Sequence, residues 1–104
     1  MRSHDWLDQR SLALHEAVAA KIEARPELVD MARANLARWL STHPVAALLE
    51  WQRLLDESPL PQLLALLRSP GERPARLRQS SPFAGLLTSE ERLSILRRHD
   101  PRRA

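Results

Sequence analysis

The chain has 104 residues, 43% hydrophobic, 28% charged and 4% aromatic, with a formal net charge of +3 and no cysteine. That is one domain with a modest core, and it excludes disulfides, cysteine nucleophiles and thiolate metal sites. Leu and Ala carry the apolar content and β-branched residues are few, which favours helix over sheet.

Residues 5–24, DWLDQRSLALHEAVAAKIEA, predict a first helix, with Leu7, Leu14, Val18 and Ile22 on one stripe and Asp5 and Asp8 at its positive end. Pro26 stops that helix, because the residue before a proline is pushed out of the α region. Pro26 also suits the first position of a second helix, residues 26–42, with Leu28, Ala32, Leu36, Trp39 and Leu40 on one face. A third helix is expected over residues 44–57, with Val45, Leu48, Leu49, Gln52 and Leu55 inward and Trp51 and Leu54 flanking. Ser58-Pro59 and Ser69-Pro70 read as N-cap serines followed by N1 prolines. The first opens a short helix to Arg68 with Leu60, Leu63, Leu64 and Leu67 inward.

Pro74 pushes the start of the next helix to about Arg73, running to Gln79, since a proline deep inside a helix clashes with a preceding carbonyl. Ser81-Pro82-Phe83-Ala84-Gly85 is a turn or loop, and the hydroxyl of Ser81 is expected to be free for another partner. Thr88-Ser89-Glu90-Glu91 is a capping box opening a last helix, residues 89–99, with Leu93 and Leu96 inward. The fold class is therefore all-α, a compact bundle of about five or six short helices with proline-marked turns, in one domain over residues 1–99 with a short tail at 100–104. Short helices depend on mutual packing, so completion by a partner or as a homodimer is expected.

Catalytic signatures are absent. His4, His15, His43 and His99 form no metal-ligand spacing, and with Gly71 and Gly85 as the only glycines no phosphate-cradling loop exists. A non-enzymatic role without cofactor or metal is expected. The N-terminal MRSHDWLDQR lacks an apolar signal region, and no apolar run approaches the ~18 residues of a membrane span, so a cytoplasmic, membrane-free protein is the default.

Charge is uneven. From Glu72 onward eight arginines face four acids, while residues 1–71 carry eight basic and nine acidic residues. Arginine suits bidentate carboxylate and phosphate contacts. Within RLRQSSPFAG, Arg76 and Arg78 offer charge-assisted bonds, Ser80 and Ser81 short hydroxyl contacts, Phe83 an apolar anchor, and Gly85 the turn that presents it. The other reading of Phe83 is a loop residue folded back over the domain's own core. Trp6 is a further candidate anchor, since aromatics and arginines are enriched at binding hot spots.

RSLALHEAVAAKIEARPELVDMARANLARWL, ALLEWQRLL and ARLRQSSPFAGLLTSEERLSILRR together resemble small bacterial proteins that are the antitoxin half of toxin–antitoxin pairs. The resemblance implies a non-enzymatic module that binds a cognate, nucleotidyltransferase-like toxin and blocks its site. RLRQSSPFAGLLTSEER is its most specific part. The chain departs from the common autoregulating pattern of a DNA-binding domain joined to a disordered tail. Two other roles remain open: a small DNA-binding regulator using the Arg-rich C-terminal third, and an adaptor subunit of a larger complex.

Overall fold

A computed structural model describes residues 3–100, with side chains from Trp6 onward. The expected tail lies outside the described residues apart from Asp100. Six α-helices follow one another: α1 Ser3–Ala24, α2 Val29–Leu40, α3 Ala46–Glu57, α4 Leu60–Arg68, α5 Glu72–Arg78 and α6 Ser89–Arg98. No strand occurs among the described residues, and no helix among them is long and apolar enough to cross a membrane.

The prolines punctuate the chain, but not always as caps. Arg25 is non-helical at φ −141°, as its place before Pro26 requires. Pro26–Leu28 form a 3-10 turn rather than the start of α2, and the Leu28 N–H donates to the Arg25 carbonyl at 3.0 Å. Ser58 and Ser69 are not N-caps. They are the extended residues that end α3 and α4, while Pro59 and Gly71 hold the N-cap positions without side-chain caps. The Ser69 hydroxyl instead accepts from the Gly71 N–H at 3.3 Å. Pro74 is tolerated because α5 begins at Glu72, not Arg73. That puts the proline in the first turn, where an N–H has no helical partner to lose. At α6 the capping box forms as expected: Glu91 N–H donates to Thr88 Oγ1 at 3.1 Å, and Thr88 N–H to Glu91 Oε1 at 2.7 Å.

Helix α1 is the spine against which α4, α5 and α6 pack, and α2 packs on α3. The core joins Val18, Ala19 and Ile22 of α1 to Ala32 and Leu36 of α2, Trp51 and Leu55 of α3, and Leu63, Leu64 and Leu67 of α4. Each such large apolar side chain contributes about 1.5–3 kcal/mol by leaving water. Two expected faces are rotated. On α3 the buried set is Leu48, Trp51 and Leu55, while Val45, Leu49 and Gln52 face water. Trp51 has the most apolar surface to hide and takes the inward position. On α6, Leu93 is 49% exposed and Ile95 is buried instead, one helical turn on from Glu91, which pairs with Lys21 of α1. Leu96 is half-buried. Leu7 is also exposed, so the α1 stripe is buried only at Val18 and Ile22. Trp39 is half-buried against the core.

Candidate functional site

Six of the ten residues of RLRQSSPFAG are buried or half-buried. Phe83 is 4% exposed. Its ring meets Trp51 edge-on at 5.5 Å between centroids and His15 at 6.4 Å. It is therefore not an outward anchor; the reading that folds it over the domain's own core is the one observed. Trp51 in turn donates Nε1–H to the Leu77 carbonyl at 2.8 Å, which ties α3 to the end of α5.

Arg78 is buried as well, and its guanidinium donates to the Ser69 carbonyl at 2.7 Å, closing α4 onto α5. Its Nε has no hydrogen-bond partner. Burial lowers its pKa, against the opposing pull of the Asp8 and Glu16 charges. Arg76 is exposed, and with Arg73 it holds the carboxylate of Glu50 at 3.2 and 3.3 Å. The hydrogen bond from Arg76, and then the charges of both arginines, keep Glu50 below the usual carboxylate range. Ser80 is half-buried in the turn after α5, its N–H donating to Leu77 O at 3.1 Å. Trp6 lies apart from this segment in sequence and is half-buried, with the Arg10 guanidinium 5.1 Å from its ring centroid.

Ser81 is not free. Its Oγ lies 2.8 Å from His15 Nε2, while His15 Nδ1 lies 2.8 Å from the Ser11 carbonyl. A carbonyl only accepts, so Nδ1 carries the proton, and neutral Nε2 accepts from the Ser81 hydroxyl. The Ser81 Oγ also accepts from the Phe83 N–H at 3.3 Å. On the other side, Asn35 Nδ2 donates to the Pro82 carbonyl at 2.9 Å and to the Ala84 carbonyl at 3.0 Å, while its Oδ1 accepts from Arg38 at 2.6 Å. Two side chains from two helices thus hold a loop that has little regular hydrogen bonding of its own.

Burial depresses the His15 pKa below its ordinary 6.5; the bond to Ser11 opposes this and the Arg78 charge adds to it. The unfolded chain therefore takes up a proton near pH 6.5 that the folded chain resists. The stability this group carries is complete above that pH and is lost as pH falls below it. The melting temperature is expected to fall between about pH 7 and about pH 5, and His15→Gln to flatten that fall. An identical slope in the variant removes His15 as the cause.

Gly85 closes the loop at φ +89°, the region that favours glycine. A Cβ there meets only Met31 Sδ, at an ordinary 3.7 Å, so the strain is in the backbone and not in packing. Gly85→Ala is expected to cost about 1–2 kcal/mol, read as a lower denaturant midpoint at unchanged m.

Beside this loop lies a cleft of about 210 Å³ between α1, the loop and α6. Leu14, Val18, Ala84 and Leu87 give it apolar walls, His15 and Ser81 satisfy each other within it, and Arg92 stands at its edge. Arg92 is exposed and has no acidic partner among the described residues. Two neighbouring charges are occupied: Lys21 binds Glu91 at 2.6 Å, and this ammonium, with the Thr88 N–H, holds the Glu91 carboxyl down to about 2.

Among the described residues no three His, Cys, Asp or Glu side chains gather to hold a metal ion. His15, Asn35 and Arg92 were not singled out as site residues in the sequence. His15 had a legible signal, three, four and seven residues before Val18, Ala19 and Ile22 on the buried face of α1. Asn35 likewise follows buried Ala32 by three positions. Nothing local marks Arg92 among the other arginines. No family model, no curated protein and no solved structure matches the chain.

Proposed function

We propose that this chain is a non-enzymatic protein-binding module of the antitoxin kind, which neutralises a cognate toxin by seating part of it in the cleft between α1, the 81–87 loop and α6. The observation that carries this reading is Arg92, a guanidinium without an acidic partner among the described residues, which lines a largely apolar cleft. An apolar wall with one cation at its rim complements a segment that presents a large apolar side chain next to a carboxylate. The resemblance in RLRQSSPFAGLLTSEER supports the same role. The segment acts here as the framework that shapes the cleft, with Leu87 and Arg92 as contact residues in place of Phe83.

The test is co-expression with the product of the adjacent gene. A toxic neighbour that co-elutes with this chain and is silenced by it supports the reading; a neighbour without effect on growth overturns it. Within such a pair, Arg92→Glu is expected to weaken binding by about 2 kcal/mol or more, roughly thirtyfold in Kd, at unchanged melting temperature. An unchanged Kd moves the contact elsewhere.

A second reading is binding to DNA through α6, favoured by the exposed Arg92, Arg97 and Arg98 on one short helix. Phosphate contacts give a steep fall of affinity with salt, so a gel-shift titration separates the two.

A further inference from the structure

A second surface stands apart from the cleft at Arg92. Val45 and Leu49, at the start of α3, are 51% and 49% exposed, among the most exposed large apolar side chains of the described residues. Leu49 lines a depression of about 370 Å³ between α3 and α5, together with Ala46, Glu50, Arg53, Leu54 and Arg73. Position 53 follows 49 by one helical turn, so Val45, Leu49 and Arg53 continue one line along α3.

The charge here is unbalanced by geometry. Arg73 and Arg76 both spend their charge on one carboxylate, Glu50, at 3.3 and 3.2 Å. Arg53 is exposed and makes no ion pair among the described residues. Within the depression itself two guanidiniums, Arg53 and Arg73, stand with one carboxylate, Glu50, while exposed Glu57 and Glu72 lie outside its lining.

We propose that the α3–α5 face is a second docking surface, which takes an acidic, amphipathic segment of a protein partner: a large apolar side chain on Leu49 and Leu54, and a carboxylate on Arg53. A phosphate backbone leaves Val45 and Leu49 unused, and the depression has no aromatic platform for bases. A second copy fits worse, since a two-fold contact through this face sets guanidinium against guanidinium. The proposal does not depend on the antitoxin reading, which lies at Arg92.

The experiment selects peptides from a displayed random library on the full chain, then measures binding of the selected synthetic peptides by fluorescence polarisation. Selected sequences are expected to pair Asp or Glu with a large apolar residue and to bind more weakly as salt rises. Their affinity is expected to drop at least about tenfold on Arg53→Glu and on Leu49→Asp, and to be unchanged by Arg92→Glu. Both substituted side chains are exposed, and far-UV circular dichroism with a melt confirms that each variant folds. The proposal is overturned by selection without acidic residues, by failure to select any peptide, or by peptides indifferent to both variants. Duplex DNA binding or dimerisation that Arg53→Glu abolishes overturns it as well, by assigning the face to nucleic acid or to a second copy.

Discussion

Phe83→Ala is expected to lower the folding free energy by about 3–5 kcal/mol, the usual cost of deleting a buried aromatic ring. For a domain near this length that is a fall in melting temperature of at least about 12 °C. The reason is position. Phe83 is a loop residue in sequence but a core residue in space, 4% exposed and edge-on to both Trp51 and His15. Removing it leaves a cavity at the junction of α1, α3 and the loop, and takes the edge contact away from the most buried aromatic of the core. Calorimetry on the isolated chain measures this. A variant that melts normally but loses a partner would restore Phe83 as an anchor and sink the packing account.

Asn35→Ala is the second large effect, about 2–4 kcal/mol. Asn35 is buried, and its amide satisfies two carbonyls of the loop, those of Pro82 and Ala84, while its oxygen satisfies Arg38. Alanine fills none of these roles. The cost arises from leaving loop acceptors without donors away from water, which exceeds the net worth of the bonds themselves. The pair Asn35→Ala with Phe83→Ala is expected to cost less than the two single changes added, because both hold the same loop and it can be released only once. Strict additivity would mean that the loop is held by independent supports. If Asn35→Ala costs under about 0.5 kcal/mol, the loop finds water as readily as it finds Asn35.

Local chemistry made much of the frame legible. Ser/Thr-x-x-Glu at Thr88–Glu91 signals a capping box, and the reciprocal bonds are present. The pattern Leu60, Leu63, Leu64, Leu67 signals one face, and three of the four are buried. Pro26 and Pro59 mark breaks, since a missing N–H and a fixed φ act through the nearest turn only. Where the reading slipped, a tertiary choice outweighed a local one. Val45 and Leu49 fit an apolar stripe as well as Trp51 does, and only competition for a finite interior decides that the indole goes in. Leu93 fits the α6 stripe, yet a helix that meets its neighbour along one edge buries one residue, and the Lys21–Glu91 pair beside Ile95 marks which edge.

The site divides along the same line. RQSSPFAG stands out in the sequence as a stretch that helix chemistry does not explain. The explanation lies 66 residues away for Ser81, which meets His15, and 47 residues away for Pro82, whose carbonyl meets Asn35. Sequence by itself determined that the chain is helical, where it turns, and that this stretch needs partners, because propensity, caps and prolines act over a few residues. Tertiary structure alone decided that those partners lie within the same chain, and left Arg92 and Arg53 at two clefts without an ion pair among the described residues. Hydrogen bonds and burial between distant residues depend on how helices are set against each other, and no short window of sequence encodes that.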